Sequence, residues 1–563
     1  MAGTILTPST IWNNFSINVD AKATVIDTYK KDGVSFCRVY IDGRRTTDGQ
    51  VKIFGWQAKK ESMKKAPAIL MANNLSGAFD FELMTTLVNA GYIVLAIDVV
   101  GMKESEEHFT IYPSSIGYAN FQTIKDDLYY IGEGANKTCW YEWAVCLRYA
   151  LNYLKNRQDV TKVGGLGIAE TATAMWQVAG VDEQLDCACF ALNAGWNGYR
   201  GIYKFDNKPE PQFSDNMYKF IAGIEPQSYA MHVTCPVFIL SATNSNIYSS
   251  ERAYDTITRI DKGAYKALNY SVGFKNSIDK NAFNSALVFF REFLFTKGNK
   301  EINLPSVIEL EDKIVDGKVV VTATCEGTDI SNCVLYVAEQ TIIPEERCWL
   351  AVNKSKKKDG VYKFTYSPYP KSNIMLYFVQ ATYKNGITIA SNVMARRFTE
   401  DEVAPSFKSK IIYSSRLKET ECVWSVLDDI DMRNGNIDVI GKYQVESKKG
   451  PLDIVGISAQ SGLLSFKINA QKDKPNENSI LMFEIFSKES GYVTVSLYKD
   501  YFGKKIEYMA IEKLVGGGIW QNVQIDLLRF KTKEGAPLKN IDSINAISFK
   551  ADGEYLMNNA LWL

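Results

Sequence analysis

The chain has 563 residues, 46% apolar and 23% charged, with 64 Lys plus Arg balanced by 64 Asp plus Glu. That length exceeds what one hydrophobic core supports, so three or four domains are expected. Zero net charge gives no electrostatic reason to expect nucleic acid or an anionic membrane as partner, and two histidines in the whole chain weigh against the commonest general base of hydrolytic chemistry.

Residues 1–62 read as an N-terminal arm and a hairpin extension. Alternation through KATVIDTYKKDGVSFCRVYIDG, broken at Lys31-Asp32-Gly33, predicts two antiparallel strands, and QVKIFGWQA predicts a third. Over 63–300 the pattern is β-α. Apolar runs at Pro67–Ala72, Tyr92–Asp98, Lys162–Gly167, Cys187–Leu192 and Pro236–Ser241 predict buried strands. Helical spacing, as in Trp143, Leu147, Ala150, Leu151 and Leu154, predicts helices over Tyr141–Lys155, Phe81–Ala90, Thr171–Val178 and Ala282–Phe295. The class is therefore α/β, a mostly parallel sheet with helices on both faces.

The pattern changes between Lys297 and Pro305. Over 305–400, VVVTATC, CVLYVAEQ, YKFTYS and IMLYFVQATY predict an immunoglobulin-like β-sandwich. Residues 401–418 read as a polar linker. Over 419–563, LLSFKIN, SILMFEIFS, YVTVSLYK, WQNVQIDL and AISFKA predict a second sandwich of jelly-roll type.

The ten cysteines include no C-x-x-C pair, and buried free thiols are the plain expectation. Cys187 and Cys189 alternate on one strand face. Cys325, Cys333 and Cys348 lie close in sequence, and an exported chain would permit a disulfide among them. The N-terminus carries no basic stretch followed by an apolar core, so a cytoplasmic location is expected. No run reaches the roughly 18 apolar residues of a membrane span.

Several segments of 63–300 come in a telling order: Pro67-Ala-Ile-Leu-Met-Ala-Asn-Asn74, Gly91 to Asp98, Phe109-Thr-Ile-Tyr-Pro113 with Tyr118-Ala-Asn120, and Trp140-Tyr-Glu-Trp143. Together they resemble the acetyl xylan esterase and dienelactone hydrolase branch of the α/β-hydrolases. That resemblance implies a G-x-S-x-G nucleophile elbow, a strained strand-to-helix turn. Gly167-Ile-Ala-Glu-Thr171 stands in its place, with Ala169 at the serine position. The branched Thr171 in so crowded a turn predicts a relaxed elbow. Ser245, in Cys235-Pro-Val-Phe-Ile-Leu-Ser-Ala-Thr-Asn-Ser245, stands at the acid position, and Asn276 at the histidine position. The same resemblance makes Asn73 and Asn74 the remnant of the oxyanion loop.

A methyl group cannot be activated by any base, so the triad reads as degenerate. His108 and His232 read as loop histidines remote from any elbow nucleophile. Glu170 reads as an exposed or capping residue, or as one facing the old pocket. No metal and no cofactor are expected: the spacings lack zinc-ligand patterns, and the glycines before residue 168 lack a following Gly-Lys-Ser/Thr.

The last 140 or so residues, through Gly553-Glu-Tyr-Leu-Met-Asn-Asn-Ala-Leu-Trp562, are similar to jelly-roll carbohydrate-binding modules. This resemblance makes Tyr443, Tyr492, Tyr498 and Tyr501 candidate sugar platforms and Trp520 and Trp562 parts of the frame. Asp428, Asp429 and Asp431 form either a calcium site or, more simply, a solvated acidic turn.

The expectation is a non-catalytic α/β-hydrolase-like protein with a binding or self-assembly role, partnered by a carbohydrate or by copies of itself, without nucleic acid or membrane. The alternative is a carbohydrate esterase, an acetyl ester hydrolase, with a misaligned or relocated active site.

Overall fold

The computed structural model describes residues 5–563 except 104–105, 262, 296–303, 328, 340, 354–355, 359, 369–373, 400–409, 416–423, 426–444, 470–472 and 502–503. Nine strands form one mixed sheet: β1 (Ala23–Lys31), β2 (Val34–Arg45), β3 (Gln50–Lys60), β4 (Ala66–Ala72), β5 (Ile93–Ile97), β6 (Val160–Ile168), β7 (Cys187–Ala191), β8 (Val237–Ala242) and β9 (Lys266–Ser271). Their order is β1-β2-β3-β5-β4-β6-β7-β8-β9. The first three strands and the β3–β5 junction are antiparallel; all later neighbours are parallel.

Local chemistry explains the division. The β1–β2 turn places Asp32 at φ 52° and Gly33 at φ 74°, a left-handed pair suited to a two-residue hairpin turn. β4, β5, β7 and β8 are buried at every position, as central strands covered on both faces must be. The helix Phe81–Asn89, N-capped by Asp80 onto the Leu83 N–H at 2.8 Å, packs on one face with helix Lys280–Phe295. Helices Cys139–Lys155, capped by Thr138, and Ala172–Val181 cover the other.

Two elements of this unit escape periodicity. β9 reads KALNYS and contains the buried Asn269. Its amide oxygen accepts from Gln380 Nε2 at 2.8 Å, so a strand pattern arises only with the neighbouring sandwich in place. Helix Ser250–Ile257 buries Ser250, Glu251 and Arg252, an inside-out arrangement that depends on tertiary partners.

Residues 308–397 form two antiparallel sheets. One contains β10 (Ile308–Val315), β11 (Lys318–Cys325), β14 (Lys356–Lys358) and β15 (Val361–Tyr366). The other contains β12 (Ile330–Glu339), β13 (Leu350–Asn353), β16 (Ile374–Tyr383), β17 (Thr388–Ala390) and β18 (Met394–Arg397). Their inner faces share a core with helix Lys280–Phe295 of the first unit.

The C-terminal region adds two further antiparallel sheets. One centres on Tyr555–Trp562 and Ile480–Ser487, the other on Gly491–Lys499 and Ile544–Ala551. The expected linker is partly a strand: Ile411–Tyr413 pairs with Leu561 and Ala560. Its apolar side chains, with Ile412 and Tyr413 buried, decide this over the polar residues around them. The chain is thus an α/β-hydrolase-like sheet followed by all-β sandwiches. Among the described residues, no helix is long and apolar enough to cross a membrane.

Candidate active site

The site is built at the ends of the parallel strands, where β6 gives way to helix Ala172–Val181. Between them Ala169 takes φ 49°, a left-handed conformation that disfavours any side chain. The approach is close. A Cβ at Gly167 would stand 2.9 Å from the Ala172 Cα, and one at Gly165 would stand 2.7 Å from the Met175 sulfur. The predicted relaxation of this turn does not occur. Thr171 keeps right-handed helical angles, and its hydroxyl folds back to donate to the Ile168 carbonyl at 3.0 Å, which takes up the branched side chain without opening the turn.

Ala169 is fully buried. The loops after β8 and β9 bring Ser245 and Asn276 together, the Ser245 hydroxyl donating to Asn276 Oδ1 at 2.7 Å. The Tyr248 N–H in turn donates to Ser245 Oγ at 2.9 Å. Asn73 and Asn74 hold loops. The Asn73 side-chain amide donates to Asp98 at 2.6 Å and its oxygen accepts from the Val99 N–H at 3.1 Å. Asn74 Oδ1 accepts from the Ser76 N–H at 3.0 Å. Asp98 is buried, which raises its pKa, while the Thr110, Val100 and Gly101 N–H groups and Asn73 pull it down. A small cleft lies between this loop and the elbow, lined by Asn73, Asn74, Phe79, Asp80, Ile168 and Thr171 among others.

Glu170 does not lie exposed. It is 5% exposed and meets Arg200, whose Nη2 lies 3.4 Å from Glu170 Oε1 and 3.1 Å from Asn197 Oδ1. The Arg200 guanidinium also lies over the Tyr129 ring at 5.4 Å. Tyr248 faces the same carboxylate, and burial, with Glu170 beside it, pushes its pKa well up. Neither the Tyr248 hydroxyl nor Glu170 Oε2 completes a well-formed hydrogen bond among the described residues. Buried polar atoms in this state call for a water or a ligand. Residues from the turns after β6, β7 and β8 make this cluster, and no sequence spacing announces it.

The histidines stand elsewhere. His108 packs on the Phe54 ring at 5.7 Å and against Tyr40 at 6.2 Å, and His232 ends a short 3-10 turn. Among the described residues no group of three or more His, Cys, Asp or Glu is placed to hold a metal.

Sequence reasoning also missed the cover on β8. The loop 341–349 of the second unit meets Asn244, the neighbour of Ser245. Asn244 Nδ2 donates to the Arg347 carbonyl at 2.8 Å, and Trp349 Nε1 donates to Asn244 Oδ1 at 3.0 Å. Beneath them Arg347 and Glu251 form a buried ion pair. Burial is the largest influence on Glu251 and opposes its ionisation, but Arg347, a backbone N–H and the Ser249 hydroxyl together hold the carboxyl below its usual range.

Of the aromatic platforms among the described residues, only Tyr492 is open, at 54% exposure. Tyr498 and Tyr501 are corrected: both are buried against Leu464, Phe466 and Ala546, with Tyr498 bonded to Glu507 at 2.9 Å. Their side of the sheet is covered by the chain itself, so neither offers a face to a ligand. Tyr443, Asp428, Asp429 and Asp431 lie outside the described residues. Trp562 is core, and Trp520 is partly buried and donates to the Pro451 carbonyl at 3.1 Å.

No protein-family model matches the chain, and no curated protein matches it. Among solved structures, the chain is similar to acetyl xylan esterase 1 from Thermoanaerobacterium sp. JW/SL YS485, at 15% identity and TM-score 0.39, over 52% of this chain and 96% of that one. An acetyl xylan esterase from Paenibacillus sp. R4 aligns at 13% identity and TM-score 0.39, over 51% and 92%. A cold-adapted esterase from an Arctic intertidal metagenomic library aligns at 14% identity and TM-score 0.34, over 50% and 100%. At these identities the likeness is one of fold. The expectation of a non-catalytic binding or assembly protein is corrected on this finding, since these neighbours are esterases.

Proposed function

We propose that this protein hydrolyses carboxylic esters, small acyl esters of carbohydrates being the substrate class, through water activated by Glu170 instead of an acyl-serine. The observation that carries this reading is the buried Oε2 of Glu170, without a well-formed hydrogen bond, one residue beyond a turn whose left-handed backbone is retained.

Ala169 has no atom to attack an acyl carbon, so a covalent acyl-enzyme at that position is excluded. A carboxylate can do the other job, taking a proton from water as its oxygen adds to the carbonyl. The N–H of the residue after the elbow position, here Glu170, is the donor this turn aims at the developing oxyanion. Collapse of the tetrahedral species expels the alcohol, which recovers the proton from Glu170, and the acid leaves with the carboxylate restored. Arg200 is a positioning residue that fixes the Glu170 rotamer through Oε1, and Tyr248 faces the same carboxylate, so the water would stand between the Tyr248 hydroxyl and Oε2.

The test is acetate release from p-nitrophenyl acetate and acetylated xylan by the purified full chain. Turnover above a buffer blank is expected, with Glu170→Gln about 100-fold slower and no labelling by a fluorophosphonate. A wild-type rate equal to the blank would overturn the proposal, as would Glu170→Gln at full activity.

A further inference from the structure

The core of the 308–397 sandwich contains a feature that ester hydrolysis does not use. β11 turns Val319, Val321, Ala323 and Cys325 inward, every second residue. β12, in the opposite sheet, turns Cys333, Leu335 and Val337 inward in the same way. The short connection between them is tied down by Tyr383, whose hydroxyl donates to the Glu326 carbonyl at 2.6 Å. The result is two thiols, one from each sheet, in side-chain hydrogen-bond contact inside a single apolar core. Neither is joined in a disulfide, and both are buried, Cys325 at 5% and Cys333 at 2% exposure.

We propose that Cys325 and Cys333 are a redox-responsive pair that closes an inter-sheet disulfide when the protein meets a small-molecule disulfide such as oxidised glutathione. The chemistry is two exchanges. The Cys325 thiolate attacks one sulfur of glutathione disulfide, forms a mixed disulfide and releases one glutathione, which carries away the proton. The Cys333 thiolate then attacks the Cys325 sulfur, expels the second glutathione and completes the bond. Two protein thiols and one glutathione disulfide become one protein disulfide and two glutathiones.

Cys325 is the entering residue because it ends its strand beside the Glu326-Gly327 turn, whereas Cys333 lies within its strand. The hydrogen bond from Cys333 also lowers the Cys325 pKa against the opposing effect of burial, which favours the attacking thiolate. Closure pins the two sheets at one end of the sandwich. It withdraws chain entropy from the unfolded state, so the oxidised form should melt about 5–10 °C higher in that unit.

The experiment takes the full chain, fully reduced, and incubates it with oxidised glutathione. Non-reducing peptide mapping and thiol titration then read the products, alongside a reference refolded from urea in a glutathione redox buffer. The expected result is one linked peptide joining Cys325 to Cys333, loss of two of the ten thiols, and a raised melting temperature reversed by dithiothreitol. Cys333→Val should leave a glutathione adduct on Cys325 and abolish the shift, and Cys325→Ala should abolish both. Ten free thiols in both preparations, or a disulfide that joins other cysteines, would overturn the pairing. A linked pair with no change in melting would overturn its effect on the sandwich.

Discussion

Arg347→Ala removes one member of a buried ion pair and leaves Glu251, 3% exposed, without its counter-charge. Breaking such a pair costs about 3–5 kcal/mol, because a desolvated charge remains. The guanidinium also donates to the Ile342 carbonyl at 2.7 Å, and losing that bond adds about 1 kcal/mol. The total, roughly 4–6 kcal/mol, is a large fraction of the ordinary stability of about 5–15 kcal/mol for a domain.

The same pair sets a pH signature. In the wild type Glu251 is held below its ordinary pKa, so its contribution is present above that ordinary value and lost as the pH falls through the folded one. In the variant the unpaired buried carboxyl titrates above its ordinary value, so stability now falls as the pH rises. The gap between the two proteins should therefore widen from pH 4 to pH 8. Urea unfolding followed by tryptophan fluorescence reads this directly, with buried Trp349 beside the pair as reporter. Arg347→Met with Glu251→Gln should recover most of the loss, since no charge is then stranded. A deficit under about 1 kcal/mol, or a gap constant with pH, would refute the reasoning.

Burial pushes Glu142 up to about 7 against the pull of Arg44 and Tyr118. The wild type should lose about 3 kcal/mol as the pH rises from its ordinary 4.5 through 7, at roughly 1.4 kcal/mol per unit. Glu142→Gln should flatten that slope in urea titrations at a series of pH values. Gly167→Ala drives a methyl against the Ala172 backbone and should cost about 2 kcal/mol. Gly117→Ala, whose Cβ would meet nothing within 4 Å, should stay within about 0.5 kcal/mol in the same unfolding assay. Ala169→Ser alone should remain unlabelled by a fluorophosphonate, because Asn276 offers no base. The triple variant Ala169→Ser, Ser245→Asp, Asn276→His should label, and its failure to do so would break the assignment of these three positions.

Much of the first unit was legible because its signals are local. A continuous apolar run such as Ile93–Ile97 is a buried central strand whatever surrounds it, and Asp32-Gly33 is a tight turn from backbone preference alone. The glycines before Ala169 could be read as demanding close packing, since only a missing Cβ admits helix Ala172–Val181 so near to β6. β9 was not legible, since Asn269 pairs with a residue more than a hundred positions away. Glu170 gave no sign of its surroundings, as Arg200 and Tyr248 arrive from separate turns.

Residue type and spacing therefore determined the strands, the helices and the absence of a hydroxyl at the elbow, for these are properties of a few consecutive residues. The folded chain alone decided which charges are buried together at Arg347 and Glu251, that Arg200 and Tyr248 close around Glu170, and that Cys325 meets Cys333. It also closed off Tyr498 and Tyr501, which the resemblance to carbohydrate-binding modules had offered as sugar platforms. The physical reason is common to all of them: burial and electrostatic pairing depend on what packs against a side chain, and in each case the deciding partner comes from another turn or another sheet.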